Sequence, residues 1–294
     1  MKEIKEIFKN EKILIYELKK KVIIITTDKG KYVLKPKVNN DYIINYLISR
    51  NFNYYPQIIK NDKYEITKYI EQIEMPLEQK MDDLIFLVAL LHNKTTHFKE
   101  ISNDEYKKLY EDLDNNIKYL FSYYNDIMSV IESKIFMSPS EYLFARNISK
   151  IYGTLNFCKG ELDKWEKIME KKKKQRLVVL HNNLSLDHIL RNEQSYLISW
   201  DKAKIDLPIF DLYKLYKRHG LEYDFQEIFK NYEKNYPLLE EERLLLFILI
   251  SLPDKIEFNK CEFIMCQKIT RLIDMIYKTE RIISPYYSEK RKDN

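Results

Sequence analysis

Residues 177–212 read LVVLHNNLSLDHILRNEQSYLISWDKAKIDLPIFDL. Leu177–Leu180 is a short apolar run of the kind that forms a buried strand. A polar loop and a second apolar segment follow, and a turn signal at Asn192–Gln194 leads to a return strand at Tyr196–Trp200. Another polar loop ends in a proline, and helical spacing begins at Ile209. The predicted order is strand, loop, hairpin, second loop and helix.

This order resembles the catalytic core of the aminoglycoside phosphotransferase and choline kinase-like family, a small-molecule branch of the protein kinase-like fold. In that family the first loop reads H-x-D-x-x-x-x-N, and the second reads I-D-W or I-D-F before a D-L pair. The first-loop aspartate is the catalytic base, and the asparagine and the second-loop aspartate hold magnesium on the ATP phosphates. Pro208, Asp211 and Leu212 match the family's P-x-x-D-L, which supports the alignment.

The residues that would perform the chemistry differ from the family pattern. His181 matches the first histidine, but Asn183 stands at the base position and His188 at the asparagine position. In the I-S-W sequence at 198–200, Ser199 replaces the metal-binding aspartate. An amide cannot accept a proton at neutral pH, and a neutral serine holds magnesium far more weakly than a carboxylate does. The alignment therefore predicts a kinase-shaped protein with no intact catalytic residue.

The candidate nucleotide contact is Lys35, because Tyr32–Lys35 resembles the family's strand that carries the ATP lysine. The usual partner of that lysine is a glutamate on the next helix, and the predicted helix at 41–49 contains none. Lys35 therefore either lacks a partner or pairs with Asp201, and an exposed edge-strand lysine is the plain alternative. The preceding turn carries Lys19–Lys21 and no glycine, which favours a solvated basic turn over a phosphate contact.

The resemblance implies an α+β, two-lobed protein kinase-like fold. We expect a small N-terminal lobe with an antiparallel β-sheet at 1–70 and a larger, mainly α-helical lobe at 71–294, with a mobile tail at 284–294. The segment Leu87–His92 resembles the L-A-x-L-H helix of the family, and His92 is expected to pack rather than to bind metal. The aromatic residues at 119–124 favour helix packing over a substrate cage.

Composition limits the class of protein. Only 4 glycines occur, which argues against a glycine-rich phosphate loop, and the 3 cysteines fit neither a disulfide framework nor zinc spacing. Net charge is +5 from 50 basic and 45 acidic residues, which gives no support for a nucleic acid partner. The apolar runs Leu84–Leu91 and Leu244–Ile250 are too short to cross a bilayer. We therefore predict a cytoplasmic protein with no membrane span.

Three hypotheses for function remain. The favoured one is a catalytically inactive pseudokinase that binds a protein partner or a small molecule as a scaffold. Because the eroded motifs resemble the CotS-type spore-coat branch, the spore coat is a second candidate location. The alternative is an active phosphotransferase that uses ATP and magnesium on a small-molecule alcohol group, with metal ligands relocated to Asp187 and Asp201. Asp201 lies two residues past Ser199 and would share its face of a strand. The third is a pocket filled by side chains that binds nothing.

Overall fold

The computed structural model describes residues 4, 7–19, 22–60, 63–258 and 261–290. Its strands, in chain order, are β1 (Ile13–Lys19), β2 (Val22–Thr27), β3 (Lys31–Pro36), β4 (Ile58–Lys60), β5 (Tyr64–Lys68), β6 (His97–Glu100), β7 (Lys174–Leu180), β8 (Ile189–Arg191), β9 (Ser195–Leu197) and β10 (Lys204–Asp206). Its helices, over the same residues, are α1 (Asp41–Ser49), α2 (Leu77–Thr95), α3 (Asn103–Glu132), α4 (Pro139–Met169), α5 (Ile209–His219), α6 (Phe225–Asn235), α7 (Glu240–Ser251) and α8 (Glu262–Lys290).

The chain divides into two compact units, and the first consists of two separate segments. Unit 1 is Met1–Thr95 with Val179–Ile205, and unit 2 is Thr96–Val178 with Asp206–Asn294. The two segments of unit 1 are joined by a backbone hydrogen bond in which Leu197 N donates to Tyr54 O at 2.7 Å. The lobes at 1–70 and 71–294 stay a prediction, since these compact units divide the chain at other positions.

Unit 1 contains an antiparallel five-stranded sheet with the order β1-β2-β3-β5-β4. Apolar alternation builds it, since Ile25, Leu34 and Ile66 point to one face of three neighbouring strands and are each at most 1% exposed. Leu34 lies opposite Ile66 in the register of β3 and β5. The N-terminal sheet is confirmed. Of the predicted Lys19–Lys21 turn, the last two residues lie outside the described part of the chain.

Unit 2 is organised around α4. That helix begins with a capping box in which Glu141 N donates to Ser138 Oγ and Ser138 N donates to Glu141 Oε2. Its buried face carries Phe144, Leu155 and Trp165, which are at most 2% exposed. Helix α7 is buried on every face between residues 244 and 250, as its continuous apolar sequence predicts.

The end of the chain differs from the predicted mobile tail. Helix α8 continues to Lys290, and only residues 291–294 of that tail lie outside the described part. Two tyrosines hold this part of the helix. The ring of Tyr286 packs 5.4 Å from that of Phe247, and the hydroxyl of Tyr287 donates a hydrogen bond to Glu161 at 2.6 Å. Every helix among the described residues is too short or too polar to cross a membrane.

Gly220 gives a direct test of the packing at the end of α5. A methyl group there would lie 2.7 Å from the Tyr216 carbonyl oxygen and 3.1 Å from Met275 Cε. We expect Gly220→Ala to lower the free energy of unfolding by about 1–3 kcal/mol through overpacking. Gly160→Ala is the matched control, because nothing lies within 4 Å of the new methyl group and a helical alanine should stabilise by about 0.5–1 kcal/mol. Urea unfolding of both variants makes the measurement, and equal effects would contradict the packing described.

Candidate functional site

The loop after β7 is held by a buried histidine. His181 is 0% exposed, and its Nε2 donates to Ile198 O at 2.9 Å. Trp200 packs its ring edge-on at 4.9 Å from the His181 ring, and its Nε1 donates to Leu197 O at 2.9 Å. Phe52 also packs edge-on against Trp200, with ring centroids 6.1 Å apart. This packing connects the first loop to the turn that carries Ser199.

Ser199 has a left-handed backbone conformation, with φ 67° and ψ 56°. Such a conformation costs a non-glycine residue about 1–2 kcal/mol, so the surrounding contacts must impose it. The hydroxyl oxygen of Ser199 accepts a hydrogen bond from Lys35 Nζ at 3.2 Å. Lys35 therefore has a partner, and that partner is a neutral hydroxyl rather than the carboxylate of Asp201, whose residue is exposed.

The side chain of His188 is held by a hydrogen bond within its own loop. Its Nδ1 donates to the backbone carbonyl of Asn183 at 2.6 Å. In the neutral ring this hydrogen bond leaves the lone pair on Nε2, which suits a transition metal and not Mg²⁺. The structure thus brings His188 and Asn183 together and Lys35 and Ser199 together, and Ile198 N, next to Ser199, donates to His188 O at 2.9 Å.

The donors at these positions do not fit a magnesium ion. Mg²⁺ is held in such sites by carboxylates and phosphate oxygens in octahedral geometry, whereas Ser199 offers a hydroxyl and His188 an imidazole. Asp187 and Asp201 are both exposed. Over the described part of the chain, no three His, Cys, Asp or Glu side chains group as metal ligands.

Glu65 is the site residue that sequence reasoning missed. It lies opposite Lys35 in the register of β3 and β5. Burial raises the pKa of the Glu65 carboxyl, the Lys35 ammonium opposes that rise, and Asp201 adds to it. Side-chain alternation along a strand puts Glu65 on the face opposite Ile66, but only the pairing of β3 with β5 puts it beside Lys35.

A cavity of about 270 Å³ adjoins these residues. Its apolar wall consists of Val22, Val33, Ile58, Ile70, Leu190, Ile198 and Trp200. Lys35, Glu65 and Ser199 supply polar groups, and Tyr69–Gln72 contributes part of the linker after β5. Asn183 and His188 are not among the lining residues. The arrangement can enclose a flat apolar group beside one ammonium and one carboxyl.

Two further residues of the family alignment are structural. His92 is 0% exposed within α2, which agrees with packing. Asp211 is also 0% exposed and lies in the first turn of α5, in unit 2.

Replacement of Ser199 separates backbone strain from the hydrogen bond to Lys35. Ser199→Gly and Ser199→Ala both remove the hydroxyl, but only glycine adopts the left-handed conformation without a steric cost. We expect the glycine variant to have a free energy of unfolding about 1–2 kcal/mol above that of the alanine variant. Chemical denaturation measures it, and equal stabilities would mean that Ser199 is not left-handed.

The raised pKa of Glu65 predicts how stability depends on pH. The folded chain keeps the Glu65 proton to a higher pH than the unfolded chain, so ionisation above the unfolded value of about 4.3 costs stability. We expect Glu65→Gln to stabilise the protein more at about pH 7 than at about pH 4, where both states are largely protonated. Glu71→Gln, at an exposed position, is the control. A pH-independent effect of Glu65→Gln would exclude a buried, ionisable carboxyl.

Solved structures give the comparison for the whole chain. An aminoglycoside phosphotransferase from Alicyclobacillus acidocaldarius aligns with a TM-score of 0.63 at 10% identity, covering 96% of this chain and 92% of that chain. A spectinomycin phosphotransferase in an AMP-bound complex aligns with a TM-score of 0.50 at 14% identity, covering 100% and 95%. A choline kinase from Streptococcus pneumoniae aligns at 0.49 and 17% identity, covering 99% and 97%.

Sequence comparisons add nothing to this likeness, since no protein-family model and no curated protein matches the chain. Identities of this size relate folds and not activities. The chain therefore has the α+β protein kinase-like fold of these phosphotransferases.

Proposed function

We propose that this chain is a kinase-like binding protein without phosphotransfer, which encloses a purine nucleoside in the cavity beside Lys35. It acts as a scaffold for a protein partner. The spore coat is the setting that the sequence resemblance suggests, and the cytoplasm is where such a protein would be made. One observation carries the proposal: Lys35 Nζ donates to the neutral hydroxyl of Ser199, at the position of the metal-binding aspartate.

Loss of catalysis is supported by three substitutions of different chemistry. Asn183 offers an amide where a base is needed, and no proton can be accepted there. His188 uses its Nδ1 hydrogen on the Asn183 carbonyl, and Ser199 contributes no charge. A single loss could be compensated by a neighbour, but base and both metal ligands are replaced together.

Retention of a ligand is supported by the cavity itself. Its volume of about 270 Å³ is near the lower end for small-molecule sites, about 300 Å³. Tyr69, Ile70 and Gln72 of the linker line it, and backbone groups of such a linker can hold a purine edge whatever the side chains are. The AMP complex of the spectinomycin phosphotransferase makes a nucleoside the first ligand to test.

A scaffold role is supported by an exposed apolar turn between α3 and α4. Ile135 is 91% exposed, Phe136 is 87% exposed and Met137 is 41% exposed. Three consecutive exposed apolar residues are uncommon on a surface that meets only water, and they favour contact with another protein.

An active phosphotransferase with relocated ligands is the second candidate. The observation that favours it is electrostatic: Lys35 and Asp201 both act on the Glu65 carboxyl, where Lys35 lowers its pKa and Asp201 raises it. In this hypothesis Asp187 and Asp201 would have to replace both metal ligands.

The two candidates are distinguished by ligand binding with and without magnesium. We expect adenosine and ATP to raise the thermal unfolding temperature equally in either condition, since Ser199 and His188 hold no magnesium. At 100 times Kd the ligand should stabilise by about 2.7 kcal/mol. Val33→Phe, which fills the cavity, should abolish the shift, whereas Ile59→Phe on exposed β4 should retain it.

Turnover is measured on the same protein with aminoglycosides, choline and amino alcohols as acceptors. ATP consumption above background that is lost on Asp201→Ala would overturn the proposal in favour of the enzyme. If adenosine and ATP cause no shift in the parent protein, the nucleoside assignment is wrong.

A further inference from the structure

Unit 2 contains a cavity of about 370 Å³ that the kinase-like alignment does not use. The segment Leu252–Glu257, which follows α7, forms one side, and helix α8 forms the other. Ile250, Leu272 and Ile276 supply an apolar floor, and each is at most 6% exposed. The size is that of a small-molecule site.

Cations surround this floor. Lys217, Lys255, Lys268 and Arg271 line the cavity, against Asp254 and Glu257, so that four positive and two negative side chains leave an excess of two positive charges.

Two of these cations are already engaged. Lys217 Nζ donates to Leu252 O at 2.8 Å and to Asp254 at 3.0 Å, and Lys255 Nζ donates to Tyr119 Oη at 2.6 Å.

The other two cations stand on one face of α8. Lys268 and Arg271 are exposed and three residues apart, so they project from neighbouring positions of the helix. With the part of the chain that the structure describes, neither forms an ion pair or a hydrogen bond. Leu272 and Met275 continue the same side of the helix into the cavity. A ligand on this floor would therefore meet both charges at one end.

The aromatic residues nearby disfavour a cationic ligand. The rings of Tyr119 and Tyr123 are stacked 6.2 Å apart, and Lys255 Nζ lies 5.2 Å and 4.5 Å from their centroids. A lysine of the protein itself thus occupies the position over these rings that an ammonium ligand would take. A second cation would meet like charge there.

An adjacent cavity gives room for an apolar body. It measures about 320 Å³, lies between α4 and α8, and shares Ser251, Ile276 and Thr279 with the first cavity. Phe157, Ile276 and Ile283 are its apolar lining residues, and Glu280 also lines it, with its carboxylate 3.5 Å from Lys150 Nζ.

We propose that these two cavities bind an amphiphilic anion, with a carboxylate or a similar acid at Lys268 and Arg271 and an apolar chain or ring over Ile276. The charge excess selects the head group and the apolar floor selects the body. Neither the excess of positive charge nor the apolar floor would favour the binding of a polar cation.

The test is a fluorescence titration of the full-length protein with 8-anilinonaphthalene-1-sulfonate. We expect one saturable site, displaced by decanoate and not by acetate or decyltrimethylammonium. Lys268→Gln and Arg271→Gln should each weaken binding about threefold, and the double variant about tenfold. Arg281→Gln, an exposed position on the same helix and outside both cavities, is the matched control and should bind like the parent.

Thermal unfolding of each variant checks that it is folded. The cavity-filled Val33→Phe variant reports any dye bound in unit 1, which would not respond to Lys268 or Arg271. Displacement by decyltrimethylammonium as efficient as that by decanoate would overturn the proposal. Parent-like affinity of the folded double variant would overturn it as well.

Discussion

Two hydrogen bonds to consecutive carbonyl groups hold the turn on which the candidate site depends. Trp200 Nε1 donates to Leu197 O, and His181 Nε2 donates to Ile198 O. Both donors are buried, and their rings contact each other, so both hydrogen bonds are shielded from solvent. The next residue, Ser199, then enters the left-handed region and its hydroxyl meets Lys35. The same contacts therefore stabilise the fold and fix the geometry of the site.

We propose that the chemistry of that site has changed while its framework is kept. In this proposal a hydroxyl in place of a carboxylate removes a charge beside Lys35, and Glu65 on the neighbouring strand is the acid that lies opposite Lys35 in register. That acid is half-buried and resists ionisation. An ammonium, a protonatable carboxyl and an apolar wall suit the binding of a neutral ligand better than the binding of charged phosphate groups.

Much of the fold follows from the sequence, because strand alternation and helical spacing are local signals. The β-strands of unit 1 and the long helices of unit 2 were predictable for this reason. Glu65 was not, since its place beside Lys35 depends on a strand pairing between distant residues. The extension of α8 was missed because a charged sequence suggested solvation, whereas Tyr286 and Tyr287 pack against the helices of unit 2.

The division of unit 1 into two segments sets an order for its assembly on the ribosome. Phe52 and the sheet emerge early, but Trp200 and His181, which complete their packing, follow only after all of Thr96–Val178 has been made. The first segment must therefore wait, with part of its apolar surface uncovered, through the synthesis of the four elements β6, α3, α4 and β7. Contacts so distant in sequence form slowly, and nascent chains in this interval are the ones that a chaperone would have to protect.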